Sequence, residues 1–377
     1  MEKQPLYQQI LDVLRTRIDS QQLKEGDRLP TEKELMKEFN VSRITASRAM
    51  RELEQMGMVY RRKGTGTFVE AQGRRDAATS PLSQSKLFAV LLPYGEHVGH
   101  EILSGAEHHA RNAGYVIAYF NSRSDPKEEK RILLDLVREN YRGVLALPIS
   151  AFENRGPYSQ LHLAQIPLVF VDSRVEGVGA PVVHVDNFEG MYSLTKRLLI
   201  KGHRRIAFVT NSLRSFGSER ARLRGYAAAL QEYDIGLEDQ YLLDRETLHA
   251  EAETGPLPRD EKALREFSDQ VLDRVLALDE PPTCIMNVND MTAVRVMHAA
   301  MRRGIRIPED LSLTGFDNLS QSRDSPIALT TVDQKFGEIV GEAIRRLVAA
   351  DQSRSMPANG EYVVMPNVIM RNSVRSL

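Results

Sequence analysis

Val41-Ser42-Arg43-Ile44-Thr45-Ala46-Ser47-Arg48-Ala49-Met50-Arg51-Glu52-Leu53 reads as one amphipathic helix with an uncovered polar face. Ser42 has the side chain of a helix cap, and Ala46, Ala49, Met50 and Leu53 recur at the three- and four-residue spacing of a buried stripe until Gly57 ends the run. The opposite face carries Arg43, Ile44, Thr45, Ser47 and Arg48. Such a face suits a major groove. Arg43 is placed to reach guanine O6 and N7 with both arms, Thr45 and Ser47 are short enough to permit close approach, and an outward Ile44 would touch a thymine methyl. The Ser42 hydroxyl lies at a helix N-terminus, where free amides and the helix dipole favour a phosphate.

Upstream, Leu6, Ile10, Val13, Leu14 and Ile18 have helical spacing, and Gly26, Asp27 and Pro30 break the chain. Thr31 and Glu34, spaced as a capping box, then open a short second helix. Downstream, Met58 to Arg62 and Thr67 to Val69 read as two strands joined across Lys63-Gly64-Thr65-Gly66. Lys63 and the exposed amides from Gly64 through Thr65 and Gly66 to Thr67 suit a sugar-phosphate backbone or a minor-groove edge. Three short helices and a hairpin predict an α+β winged helix-turn-helix over residues 1–71.

Three motifs in order, Leu29-Pro30-Thr31-Glu32-Lys33-Glu34-Leu35, Val41 to Thr45 and Lys63 to Val69, resemble the winged helix of GntR-type regulators across residues 5–70. The resemblance implies operator DNA contacts from Lys33, Ser42, Arg43, Thr45 and the wing glycines. For Arg48, Arg51, Arg61 and Arg62, taken singly, a solvated charged face is the competing reading.

The charge is polarised in the same sense. Residues 1–75 hold 15 Lys and Arg against 11 Asp and Glu, whereas the remaining 302 hold 35 against 40, so a basic end sits on a chain of net charge −1. Gln72 to Lys86 lacks apolar periodicity and reads as a linker. Beyond it, over 87–377, apolar runs at Leu87 to Leu92, Tyr115 to Phe120, Val144 to Ile149, Leu168 to Val171, Val182 to Val185, Ile206 to Val209, Cys284 to Val288 and Leu311 to Phe316 alternate with amphipathic helices. Continuous apolar strands separated by helices predict parallel sheets covered on both faces, and the length suits two α/β lobes with a cleft between them.

Ligands of open parallel sheets bind beyond the carboxyl ends of the strands. The polar residues here fall at those ends: Asp172, Asp186 with Asn187, Asn289 with Asp290, and Asp317 with Asn318. Carboxylates and amides match vicinal hydroxyls, and Arg222 adds a fork of donors. One Arg against several Asp favours a neutral polyol over a phosphate or a dicarboxylate. Asp290 and Asp186 have the alternative reading of helix caps.

The segments Val183 to Asn187, Lys201 to Ile206, Arg222 to Tyr226, Val288 to Asp290, Ile307 to Leu311, Gly315 to Asn318 and Leu329 to Gln334 are similar to the effector domain of the LacI/GalR family, which resembles periplasmic sugar-binding proteins. The resemblance runs from Leu87 to Asn372 and implies an effector pocket lined by Asp172, Arg222, Asn289, Asp317 and Gln334, with Tyr94 on the first loop. It departs at Leu147-Pro148, where a polar pocket residue is common. With no Trp in the chain, stacking against a sugar would fall to Tyr94, Phe216 or another Tyr or Phe.

A GntR-type winged helix fused to a LacI-type sensor resembles the arabinose repressors of that chimeric type. The expectation is a homodimeric repressor that binds double-stranded operator DNA under the control of a neutral sugar, with a non-sugar effector such as a nucleoside as the alternative. No enzyme activity, cofactor or metal is expected. The cleft offers no paired base and nucleophile, and the one cysteine, Cys284, reads as a small core residue. His100-Glu101 lacks the second histidine of a metalloprotease motif, and the histidines His97, His100, His108 and His109 read as surface or partner-facing. The polar start of the chain and the lack of a long apolar run predict a cytoplasmic protein without membrane association.

Overall fold

Ile10, Leu14, Leu35, Ala46, Ala49 and Leu53 are wholly buried and come from three separate helices, so the stripes of the N-terminal segment meet in one core. The structure is a computed structural model and describes residues 5–62, 65–70, 86–95, 97–139, 141–213, 217–252 and 260–377. It divides into two compact units, Met1–Ser85 and Lys86–Leu377. The linker expected over 72–86 lies outside the described residues except for Lys86, which opens a strand.

The first unit consists of α1 (Leu6–Asp19), α2 (Glu32–Phe39), α3 (Arg43–Gln55) and the antiparallel pair β1 (Val59–Arg62) and β2 (Gly66–Val69). Both halves of the capping box form: Thr31 Oγ1 accepts from the Glu34 amide at 3.3 Å, and the Glu34 carboxylate accepts from the Thr31 amide at 2.7 Å. These hydrogen bonds to its charged form hold the Glu34 carboxyl below its ordinary value. Asn40, at φ 51°, ends α2 in the left-handed region. The Leu29 amide donates to the Thr67 carbonyl at 2.8 Å, which ties the α1–α2 connection to the hairpin. Gly66 cannot be replaced without strain, because its φ is 133° and a Cβ there would lie 2.7 Å from Arg28 Nε.

In the second unit, β3 (Lys86–Leu92), β4 (Tyr115–Asn121), β5 (Gly143–Ala146), β6 (Leu168–Val171), β7 (Val182–Val185) and β13 (Glu361–Val364) form a six-stranded parallel sheet in the order β13-β7-β6-β5-β3-β4. A second parallel sheet joins β8 (Ile206–Thr210), β9 (Leu242–Asp244), β10 (Cys284–Asn287) and β11 (Ser312–Thr314) in the order β11-β10-β8-β9. Phe88, Val90 and Leu92 enter one buried cluster while Ala89 and Leu91 enter another, and Cys284 and Met286 likewise part from Ile285. Each sheet is therefore covered on both faces, which is why its strands read as unbroken apolar runs.

Four strands are too short or too exposed to stand out in the sequence: β9, β12 (Thr331–Asp333), the edge strand β13 and the three-residue β14 (Asn367–Ile369). The chain leaves the first lobe after β7 and returns through β12 to the helix Phe336–Ser353. It crosses again after β13 through β14, which pairs antiparallel with β12. No helix among the described residues is long and apolar enough to cross a membrane.

Candidate functional site

In the first unit, about 100° of helical rotation per residue gathers Arg43, Ser47, Arg51, Ile44 and Arg48 into one arc of about 140° opposite the buried stripe. Arg43 leaves 81% of its side chain to solvent and, among the described residues, makes one long contact, Nε to Glu32 Oε2 at 3.5 Å. Ile44 is 82% exposed, Lys33 is exposed, and Ser47 is half-buried. Arg48 is fixed between Glu52, at 3.4 Å, and the Tyr7 ring, whose centroid lies 3.8 Å from the guanidinium. Ser42 and Thr45 face each other: Ser42 Oγ accepts from the Thr45 amide at 3.3 Å and lies 2.9 Å from Thr45 Oγ1, so both hydroxyls take part in capping α3. Glu32, which sequence reasoning passed over, also reaches Arg61 at 3.5 Å and so connects α2, α3 and β1. Thr65 is exposed and Thr67 half-buried on the hairpin, whereas Lys63 and Gly64 lie outside the described residues.

In the second unit the polar strand ends converge. The helix Gly217–Glu232 closes on Asn187–Ile200 at Gly225, where a Cβ would meet the Phe188 carbonyl at 2.2 Å. About one turn earlier on the same helix, Arg222 is buried. Its Nε donates to Asn187 Oδ1 at 2.8 Å, its Nη1 donates to the Val288 carbonyl at 2.6 Å, and its plane lies 3.8 Å from the Phe316 centroid. Its Nη2 is 3.9 Å from Asp317 Oδ1, which accepts a hydrogen bond from Gln334 Nε2. Asp317 is buried, and burial outweighs Arg222 to push its carboxyl well above the usual range; Asp290 and Asp172 add to the rise. Among the described residues Gln334 Oε1 is buried with no hydrogen-bond partner.

Tyr94 faces this group across the cleft. Burial, then the carboxylates of Asp172 and Asp317, raise its hydroxyl above the ordinary value, while Arg222 opposes them. It nonetheless leaves 43% of its surface open, as a wall of an open cleft does. A pocket of 280 Å³ at this mouth is lined by Gly95, His97, His100, Glu101, Ser320 and Gln321, residues that follow Tyr94 and Asp317 in the chain. Backbone strain gathers here as well: Asp172 has φ 63°, Asp317 φ 127° and Asn318 φ 59°.

The structure decides between the two readings of the strand-end residues. Asp186 caps its helix, accepting from the Glu189 amide at 2.9 Å. Asn289, not Asp290, caps the next one, accepting from the Thr292 amide at 2.8 Å, so the side-chain oxygen of this expected pocket residue is engaged by the helix. Asp290 points instead into the protein. Its carboxylate accepts from the Leu319 amide at 2.8 Å and from Thr331 Oγ1 at 2.5 Å, fixing the chain beneath Asp317. Asn187 and Phe316, which hold Arg222, were legible only as a strand-end amide and the last residue of an apolar run. Phe216 lies outside the described residues.

A winged helix with an open recognition face, joined to a two-lobed α/β domain with a strained polar cleft, defines a DNA-binding transcription regulator with a periplasmic-binding-protein-like domain. The model of the bacterial regulatory proteins of the gntR family matches residues 6–69, and that of the periplasmic binding protein-like domain matches residues 195–374. The arabinose metabolism transcriptional repressor of Geobacillus stearothermophilus is 30% identical over 379 residues, 99% of this chain and 98% of that protein. Two solved structures share the fold of the second unit. The transcription regulator CcpA of Lactococcus lactis has a TM-score of 0.65 at 21% identity, over 78% of this chain and 100% of its own. A LacI family transcriptional regulator from Enterococcus faecium with bound ribose has a TM-score of 0.64 at 22% identity, over the same shares. The chain belongs to the family of transcriptional repressors that join a GntR winged helix to a LacI-type domain.

Proposed function

We propose that this repressor is a cytoplasmic homodimer whose operator affinity is set by a neutral, hydroxyl-rich effector, a sugar or sugar derivative, held between Tyr94, Asp172, Arg222, Asn289, Asp317 and Gln334. One observation carries the effector class: among the described residues, a buried acceptor of the cleft is left without a donor. Among the described residues Gln334 Oε1 is buried without a hydrogen-bond partner, and the adjacent Asp317 carboxyl, which accepts from Gln334 Nε2, has the Arg222 guanidinium no nearer than 3.9 Å. Buried acceptors left unpaired are costly, and ligand hydroxyls supply the missing donors while accepting from the guanidinium. A carboxylate or phosphate ligand would instead meet the carboxylates of Asp172 and Asp317. The relative named for arabinose metabolism and the relative with bound ribose agree with a sugar.

On the DNA side, Arg43, Ile44, Ser47 and Arg48 form the reading face, Lys33 on α2 meets a phosphate, Ser42 and Thr45 set the first turn of the reading helix, and the wing from Lys63 to Thr67 follows the backbone. One winged helix covers a half-site, so a two-fold dimer reads a pseudo-palindrome.

A thermal-shift panel of pentoses and hexoses identifies the ligand, since binding at 100 times Kd stabilises by about 2.7 kcal/mol. In calorimetry with that sugar, Asp317→Ala is expected to lose about 5- to 150-fold in affinity, while operator binding without the sugar stays intact. Stabilisation by charged metabolites alone would overturn the sugar reading, and sedimentation as a monomer at micromolar concentration with one-to-one operator binding would overturn the dimer.

A further inference from the structure

Ile44 stands 82% exposed on the first turn of the recognition helix, next to an Arg43 side chain that is 81% exposed. The other large exposed apolar side chains described in this unit, Leu6 at the start of α1 and Met56 at the C-cap of α3, lie off this face and are less exposed, at 54% and 47%. Ile44 alone places a branched hydrocarbon in the middle of a face otherwise made of Arg43, Ser47, Arg48 and Arg51. Such a group gains nothing from phosphates and cannot hydrogen-bond a base edge. The one apolar feature that base pairs present in the major groove is the 5-methyl group of thymine.

Resting on the reading that this helix enters the operator's major groove, we propose that Ile44 is a specificity-determining residue that reads the 5-methyl group of a thymine at or beside the base pair contacted by Arg43. Residues 43 and 44 are adjacent on the helix, and successive bases of a strand lie about 3.4 Å apart, so the two side chains address the same or neighbouring base pairs. The pair divides the work: the Arg43 guanidinium recognises acceptors, and Ile44 recognises a hydrocarbon surface that uracil lacks.

The test removes the methyl and nothing else. A duplex selected from a randomised pool by the full chain is resynthesised with each thymine replaced singly by deoxyuridine. The set is then titrated in mobility-shift assays with the wild-type chain, Ile44→Ala and Ile44→Val. One position per half-site is expected to weaken wild-type binding about four-fold, the equivalent of about 0.8 kcal/mol for one buried methyl. Ile44→Val should keep most of that penalty and Ile44→Ala should lose it. Because the side chain is exposed, the unfolding midpoint of Ile44→Ala should match wild type. Equal deoxyuridine penalties in wild type and Ile44→Ala, no penalty within one base pair of the Arg43 contact, or complete loss of duplex binding by a folded Ile44→Ala would each overturn the inference while leaving the regulator reading in place. Failure of the wild-type chain to retain any duplex would overturn that reading and this inference together.

Discussion

Arg43 and Arg222 carry the same side chain in opposite circumstances. Arg43 leaves 81% of it to solvent with one contact at 3.5 Å, whereas Arg222 leaves 6% and spends its nitrogens on Asn187 and Val288 above the Phe316 ring. On the proposed reading, Arg43 is ordered only on binding DNA, and the ordering cost is offset by the many phosphate contacts a duplex offers. The cleft has a small ligand with few atoms to contribute, so its polar groups are fixed beforehand and the cost is stored as burial and as strained backbone at Asp172 and Asp317.

The largest expected effect is that of Arg222→Ala. Removing the guanidinium leaves Asn187 Oδ1 and the Val288 carbonyl without their donor and the Asp317 carboxyl without its cation in a buried site. Breaking a buried charge cluster in this way costs about 3–5 kcal/mol. Urea unfolding should register that loss, with effector binding abolished, and Arg222→Lys should fail to restore binding because a point charge cannot serve Asn187 and Val288 at once. If Arg222→Ala were no more destabilising than Arg43→Ala, which should stay within about 0.5 kcal/mol of wild type, the cleft would not be preorganised as described.

Next in size is the loss at the DNA face. Arg43→Ala should weaken operator binding by about 1–3 kcal/mol and relax preference at one base pair per half-site, while Lys33→Ala weakens all duplexes alike and lowers the salt slope by about one. Mobility-shift titrations at several salt concentrations separate the two. Identical salt slopes and unaltered sequence preference in both variants would remove base reading from Arg43.

The two regions also differed in how plainly the sequence announced them. In the winged helix the fold is carried by neighbours in sequence: the Thr31–Glu34 box, the Ser42 cap and the stripe from Ala46 to Leu53 all act within four residues, so local pattern sufficed. The cleft is assembled from residues far apart in the chain, and strand-end position alone told which polar residues approach it, not which way each points. Hence Asn289 and Asp290, adjacent and both polar, exchanged roles: the first caps the helix, and the second turns inward to Leu319 and Thr331. β13 was missed because an edge strand whose alternate residues are exposed lacks the apolar run of the strands beside it. Glu32 was passed over because its partners, Arg43 and Arg61, lie 11 and 29 residues away.

The smallest expected effect concerns that inward-turning Asp290, whose buried acidity beneath the cleft lowers stability. Burial pushes its carboxyl up to about 6, against hydrogen bonds from Thr331, Leu319 and Ser322 and the charge of Arg371. An unfolded aspartate titrates near 3.9. Between about pH 4 and pH 6 the native state thus holds a proton that the unfolded chain has released, so this group's contribution to stability falls as pH rises through that window and is fully unfavourable above it. Asp317, also raised, acts in the same direction, whereas Glu34 on the winged helix, held low by its capping box, favours the folded state as pH rises above its range. Asp290→Asn removes the ionisation and keeps one acceptor for Leu319 or Thr331. Measured by urea unfolding at pH 4.5 and pH 7, the stability of Asp290→Asn relative to wild type should improve at the higher pH by about 1–2 kcal/mol. A difference that does not change with pH would mean that Asp290 is ionised in the native protein across the whole range, and that the Thr331 and Leu319 hydrogen bonds outweigh its burial.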